Sequence, residues 1–128
     1  MRVLVVDDDP DARSAVRAIL ESHGAMVALA ASVREARHLI RQSVLDAVVS
    51  DIRLPDGDGY ALVRELRGMD AARPRSIPAV AITGHDLEED EGRAVAAGYQ
   101  VRLTKPVDPE LLVAAVAQLA TPGRRRSV

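Results

Sequence analysis

The stretch VLVVDDDPDAR, Val3 to Arg13, runs an apolar segment suited to a buried strand into three consecutive aspartates and a proline. Carboxylates about 4 Å apart repel by roughly 4 kcal/mol at an effective dielectric near 20, so such a cluster at a strand end calls for a cation. Asp51 closes a second apolar run, and Asp7, Asp8 and Asp51 brought together would form a pocket of hard oxygen donors with excess negative charge. That pocket suits Mg²⁺, which takes a few carboxylates, retained waters and phosphate oxygens. A carboxylate is also a nucleophile toward phosphorus, giving an aspartyl phosphate when a metal and a fixed positive charge balance the incoming oxygens. Lys105, the single lysine among seventeen basic residues, supplies a point charge. Thr83 supplies a hydroxyl donor, and Gly84 leaves room and a backbone N–H for a phosphoryl oxygen.

These groups act together only if the fold gathers them. Arg2 to Val6 reads as a buried strand, and Asp9-Pro10 as an N-cap followed by proline at the first helical position. Ala12, Ala15, Val16, Ile19 and Leu20 then repeat at helical spacing until Gly24. Met26 to Ala30 reads as a second strand, and Ser32 with Glu35 as a capping box before a helix carrying Val33, Ala36 and Ile40. Leu45 to Ser50 is a third strand ending at Asp51, and LPDGDG a turn into a helix with Leu62, Val63 and Leu66. After a loop from Gly68 to Pro78, Ala79 to Ile82 forms a fourth strand ending at Thr83-Gly84. A fourth helix runs from Asp86 to Ala97, weakened by Gly92, which costs about 1 kcal/mol against alanine. Tyr99 to Leu103 is the fifth strand, and Asp108-Pro109 caps a last helix built on Leu111, Leu112, Ala115, Val116 and Leu119.

Five strands alternating with five helices predict an α/β fold, a parallel sheet covered on both faces, because parallel neighbours need helical crossovers. In such sheets ligands bind outside the carboxyl ends of the strands. Asp7, Asp8, Asp51, Thr83 and Lys105 all follow or end strands, so they converge on one edge.

Composition narrows the function. The 128 residues make one domain, residues 1–121, with 122–128 as a polar tail. A formal charge of -2 and 2% aromatic residues give no general attraction for nucleic acid and no base-stacking platform. Without cysteine there are no disulfides or thiolate metal sites. No segment has the apolar length of a membrane span, so no membrane insertion is expected and the cytoplasm is the default location.

The ordered set of the acidic pair after strand one, DIRLPDGDG, AITG and LTKPVD resembles the receiver domains of two-component response regulators over nearly the whole chain. That resemblance implies a flavodoxin-like doubly wound fold with strand order 2-1-3-4-5. It implies Asp51 as phosphoacceptor, and Mg²⁺ held by Asp8, Asp51 and the Arg53 backbone carbonyl, with Asp7 acting through water. Thr83 and Lys105 would hold the phosphoryl group, and Lys105-Pro106 would be a cis peptide. Phosphate would come from a phosphohistidine on a histidine kinase or histidine phosphotransfer protein. The domain would catalyse only its own phosphotransfer and autodephosphorylation, and it could form a homodimer through helix four, strand five and helix five. LTKPVDPELLVAAV further resembles receivers attached to the C-terminal end of hybrid histidine kinases, with a free-standing single-domain regulator as the alternative.

One position departs from the family pattern. Three residues before Lys105, where an aromatic switch residue is usual, stands Arg102. A cation does not enter an apolar slot unpaired, so Arg102 is expected to stay outside and report through a surface contact with the acidic start of helix four. Arg53, two residues after Asp51, and His85, two after Thr83, occupy positions expected to tune the lifetime of the phosphoryl group. Asp9 reads as a plain N-cap, His23 and His38 as solvated, Arg124 to Arg126 as a soluble tail, and Tyr60 and Tyr99 as partly buried packing residues. Two rivals stand beside the receiver reading. One is a docking module that signals without phosphorylation, which Arg102 supports. The other is a Mg²⁺-dependent phosphohydrolase, which would need a cap and a second acid where Arg53 stands.

Overall fold

The computed structural model describes residues 1–69, 76–84 and 87–119, and for 87–91 the backbone alone. Its elements in chain order are β1 (Arg2–Val6), α1 (Pro10–Ser22), β2 (Met26–Ala30), α2 (Val33–Gln42), β3 (Ala47–Asp51), β4 (Arg53–Leu54), β5 (Gly57–Asp58), α3 (Gly59–Met69), β6 (Ala79–Thr83), α4 (Leu87–Ala97), β7 (Val101–Thr104) and α5 (Pro109–Leu119). The main sheet is parallel throughout, in the order β2-β1-β3-β6-β7. This is the expected 2-1-3-4-5 arrangement, renumbered because β4 and β5 form a separate antiparallel hairpin inside the expected LPDGDG turn.

Burial on both faces explains why β1, β3 and β6 read as unbroken apolar runs. Along β1 successive side chains point to opposite faces. Leu4 and Val6 pack with Ala36 and Ile40 of α2, Leu62 and Leu66 of α3, and Ala94 of α4. Val3 and Val5 pack with Val16 and Leu20 of α1 and Leu112 and Val116 of α5. Each such aliphatic side chain contributes roughly 1.5–3 kcal/mol on burial, and the two layers hold the sheet rigid without phenylalanine or tryptophan.

The helix starts follow the sequence signals. Asp9 accepts from the Asp11 N–H (3.0 Å), Ser32 Oγ from the Glu35 N–H (3.1 Å), and Asp108 from the Glu110 N–H (2.8 Å). The Glu35 carboxylate reaches back to the Ala31 N–H (2.7 Å), completing the reciprocal cap.

Boundaries differ where tertiary bonds override local pattern. Tyr99 lies in the turn that follows α4 and not in a strand: its N–H donates back to Ala94 O (3.0 Å), and the chain joins the sheet only at Gln100, whose N–H donates to Ala79 O (3.1 Å). Gly98 makes that turn at φ +123, where a Cβ would also strike the Arg67 side chain at 2.8 Å. The third strand pairs over Ala47–Asp51 and not Leu45–Ser50, carrying Asp51 itself into the sheet. Gly68 and Met69 complete α3, so the loop expected from Gly68 begins later. Asp86 and the tail lie outside the described residues.

Candidate functional site

The carboxyl edge of the sheet is assembled by strand register. Val6 pairs with Ser50, Asp51 with Ile82, and Thr83 with Thr104, so Asp7, Asp51, Thr83 and Lys105 emerge from adjacent strands at one level. Two backbone bonds fix the flanks: the Asp7 N–H donates to Ala30 O (3.0 Å) and the Lys105 N–H to Thr83 O (2.7 Å). The Lys105–Pro106 peptide is cis.

The carboxylates of Asp7, Asp8 and Asp51 lie within 4.8 Å of one another, among the described residues the one acidic group gathered so closely. Asp7 is buried, Asp51 is 8% exposed, and Asp8 faces solvent. Lys105 Nζ stands 2.9 Å from Asp51 Oδ2 and 3.5 Å from Asp7 Oδ2. Asp7 Oδ1 accepts from the Asp9 N–H (3.0 Å), and the Asp7 carbonyl accepts from Arg13 Nη1 (2.9 Å). Asp51 Oδ1 accepts from the Arg53 N–H at 3.3 Å.

Burial, and then the Asp51 charge, push the Asp7 carboxyl above its ordinary value, against the Asp9 N–H and Lys105 which pull it down. Burial alone would lower the Lys105 ammonium, yet its hydrogen bond and charge pairing with Asp51, with Asp7 adding to them, raise it. One ammonium cannot neutralise three carboxylates. The hard-oxygen donor set and its uncompensated charge therefore fit Mg²⁺.

Thr83 gives the second fit. Its side chain is 1% exposed, and Oγ1 has no hydrogen-bond partner among the described residues. A buried hydroxyl left so costs roughly 1–3 kcal/mol, which an incoming acceptor oxygen would relieve. Gly84 follows with open space around its Cα.

Among the other expected residues, Arg53 is exposed in the β4–β5 hairpin, and His23 and His38 are exposed. His85 lies outside the described residues, as do the side chains at the acidic start of α4 and Arg124 to Arg126. Arg102 does not stay outside: it is half-buried, with Nε and Nη1 enclosed, in a cleft of ≈ 180 Å³ that it lines with Ala94, Val95, Tyr99, Gln100 and Val101. The long stem can cover apolar surface beneath α4, and the residue keeps an interaction of its own there.

Several supporting residues escape sequence reasoning. Tyr99 is fully buried, and its hydroxyl donates to Gly59 O at 2.8 Å. Ser50 Oγ donates to the Asp51 carbonyl at 2.9 Å. Asp58 caps α3 through the Ala61 N–H (2.8 Å), and Asp56 reaches across to the Val33 and Arg34 N–H groups at the start of α2 (2.8 and 3.0 Å). Only Asp58 carries a local signal, as an N-cap before an apolar helix. Asp56, Ser50 and Tyr99 make contacts that no sequence spacing announces.

Comparison with known proteins agrees with this geometry. Residues 3–117 match the response regulator receiver domain family. A 14.6 kDa protein from the sodA1 3′ region of Leptolyngbya boryana is 40% identical over 118 residues, covering 92% of this chain and 88% of that one. Response regulator Rre1 of Synechocystis is 37% identical over 91% of this chain, which spans only 50% of Rre1. The crystal structure of a two-component response regulator from Clostridium difficile superposes with a TM-score of 0.87 at 28% identity, covering 99% of each chain. No helix among the described residues is long and apolar enough to cross a membrane. With the family match spanning nearly the whole chain and the acidic edge in place, this chain belongs to the response regulator receiver domains of two-component signalling.

Proposed function

We propose that Asp51 accepts a phosphoryl group from a phosphohistidine on a histidine kinase or histidine phosphotransfer protein. The observation that carries this is the Asp51 carboxylate set between the Lys105 ammonium and the Asp7–Asp8 pair, beside the buried Thr83 hydroxyl, which has no partner among the described residues. Asp7, Asp8, Asp51 and the Arg53 carbonyl would hold Mg²⁺, which when bound supplies the charge that lets a phosphoryl group approach carboxylates. An Asp51 oxygen forms the new O–P bond as the N–P bond of the donor breaks, its electron pair staying on the imidazole nitrogen. Lys105 and Thr83 hold the transferred oxygens, with the Gly84 N–H available to a third. Arg53 and His85 are the positions proposed to govern water attack on the aspartyl phosphate, the chain's own autodephosphorylation.

Phosphorylation would then bias a two-state equilibrium of the α4–β7 face. A homodimer through α4, β7 and α5 belongs to the same proposal, supported by exposed Val95 on α4 and Leu111 on α5. The LTKPVDPELLVAAV segment supports attachment to a hybrid histidine kinase, which phosphotransfer rates from a kinase and from a phosphotransfer protein would test. A cytoplasmic site of action fits partners of this kind.

The test is intact mass after incubation with Mg²⁺ and acetyl phosphate, beside Asp51→Ala. An added phosphoryl mass that requires Mg²⁺ and vanishes in the variant is expected. No added mass, even with a competent phosphohistidine donor, would overturn the reading in favour of phosphorylation-independent docking.

A further inference from the structure

Tyr99 spans the distance between the acidic edge and the α4–β7 surface. At one end its hydroxyl donates to Gly59 O at 2.8 Å. A Cβ built on Gly59 would lie 2.8 Å from that hydroxyl and 2.7 Å from the Asp51 carbonyl oxygen, so the phenol and the Asp51 backbone converge on the same bare Cα. Burial holds the phenol well above its ordinary pKa, which keeps it a neutral donor. At the other end, the Tyr99 N–H caps the C-terminal end of α4 on Ala94 O, and the residue lines the cleft shared with Val95 and Arg102.

Two further contacts tie the same turn to α3. Arg67 donates through Nε to Gly98 O (3.0 Å) and through Nη2 to Gln100 Oε1 (3.2 Å). The Arg93 guanidinium lies 4.4 Å from the centre of the Tyr60 ring, linking α4 to the start of α3. The turn before β7 is therefore clasped by both ends of α3, and Tyr99 is the clasp that touches the loop beginning at Asp51.

We infer that Tyr99 is a positioning residue that couples the backbone of the Asp51 loop to the α4–β7 face, a part that the family pattern gives to an aromatic at the position of Arg102. The inference rests on the phosphoacceptor reading of Asp51. A shift of the Asp51–Gly59 backbone changes the length of the Tyr99 hydrogen bond, and the rigid ring passes that change to the end of α4 and the cleft. Loss of the bond alone corresponds to roughly a fivefold change in the two-state equilibrium constant, the conversion of about 1 kcal/mol for a neutral hydrogen bond.

The chain has two tyrosines and no tryptophan, so 3-fluorotyrosine labelling gives two fluorine signals, and Tyr60→Phe identifies that of Tyr99. On phosphorylation with acetyl phosphate and Mg²⁺, the Tyr99 signal should move in the wild type and stay still in Asp51→Ala. In Tyr99→Phe, which keeps the ring, the Val95 and Arg102 amide shifts on phosphorylation should fall several-fold when normalised to the phosphorylated fraction by mass. Unchanged normalised shifts, with or without a loss of stability, would show a packing role only and overturn the coupling. A still Tyr99 signal in phosphorylated wild type overturns it too, even if Tyr99→Phe fails to fold. Absence of any phosphoryl mass instead removes the phosphoacceptor reading, and the coupling with it.

Discussion

Gly59→Ala sets two structural arguments against each other. Gly59 opens α3, where alanine is ordinarily the better residue by roughly 0.5–1 kcal/mol. Helix propensity alone therefore predicts stabilisation. The added Cβ, however, would stand 2.7 Å from the Asp51 carbonyl, 2.8 Å from the Tyr99 hydroxyl and 3.1 Å from Ile52 Cα. Two of these atoms are backbone and cannot swing aside. Overpacking of this kind costs about 1–3 kcal/mol, so at the middle of both ranges the clash wins by about 1.25 kcal/mol. With an unfolding entropy near 2.1 cal/mol/K per residue, the 128-residue chain should lose about 4–5 °C in Tm. Calorimetric melts check the sign. On the phosphoacceptor reading the initial rate of phosphorylation should fall as well, because relief of the clash displaces the Asp51 backbone. Adding Tyr99→Phe removes the phenolic oxygen from the crowded point, so the pair should couple by at least about 0.5 kcal/mol in a double-mutant cycle. A Tm equal to or above wild type would refute the reasoning.

Mg²⁺ at ten times its dissociation constant should stabilise the protein by about 1.4 kcal/mol, read as a rise in Tm, and Asp8→Asn should remove most of that rise. Arg67→Ala strips hydrogen bonds from Gly98 O, Ile77 O and Gln100, and should cost about 2–4 kcal/mol in denaturant unfolding, with Arg67→Lys recovering only part. The Asp56 carboxyl lies below its ordinary value of 3.8, first through the Val33 N–H and then the Arg34 N–H. Its stabilisation is therefore complete above that value and lost as pH falls through the lowered folded pKa. The Tm difference between wild type and Asp56→Ala should accordingly hold at neutral pH and shrink below about pH 4.

The acidic edge was legible because each of its groups ends a strand or follows one directly, and a parallel sheet covered on both faces sends all such ends to one side. Apolar runs, caps and proline positions mark those ends locally. Tyr99 and Asp56 resist the same reading for one reason: their partners are remote in sequence. Tyr99 reaches Gly59 from the next crossover unit, and Asp56 reaches α2 from the loop after β3. The sequence reading puts Tyr99 at the start of the fifth strand, whereas the positive φ at Gly98 holds it in the turn that closes α4. Arg102 was expected outside on the cost of burying a charge, and the cleft beneath α4 accommodates its stem instead.

The arrangement around Lys105 bears on how a phosphoryl group would be felt. Lys105 is shared between Asp51 and Asp7, with the shorter contact to Asp51. On the phosphoacceptor reading, formation of the acyl phosphate removes the Asp51 charge and places about two negative charges on the phosphoryl oxygens, further out. The ammonium then has less reason to remain on the Asp51 oxygen and more to follow the phosphoryl group. Its backbone cannot follow freely, because the Lys105 N–H is bonded to Thr83 O at 2.7 Å. Any pull on Lys105 is therefore also a pull on the end of β6, which carries the buried Thr83 hydroxyl, a donor without a partner among the described residues. The ends of β6 and β7 thus respond as one unit, and α4, which joins those two strands along the chain and packs on both of them, is the element placed to feel that response.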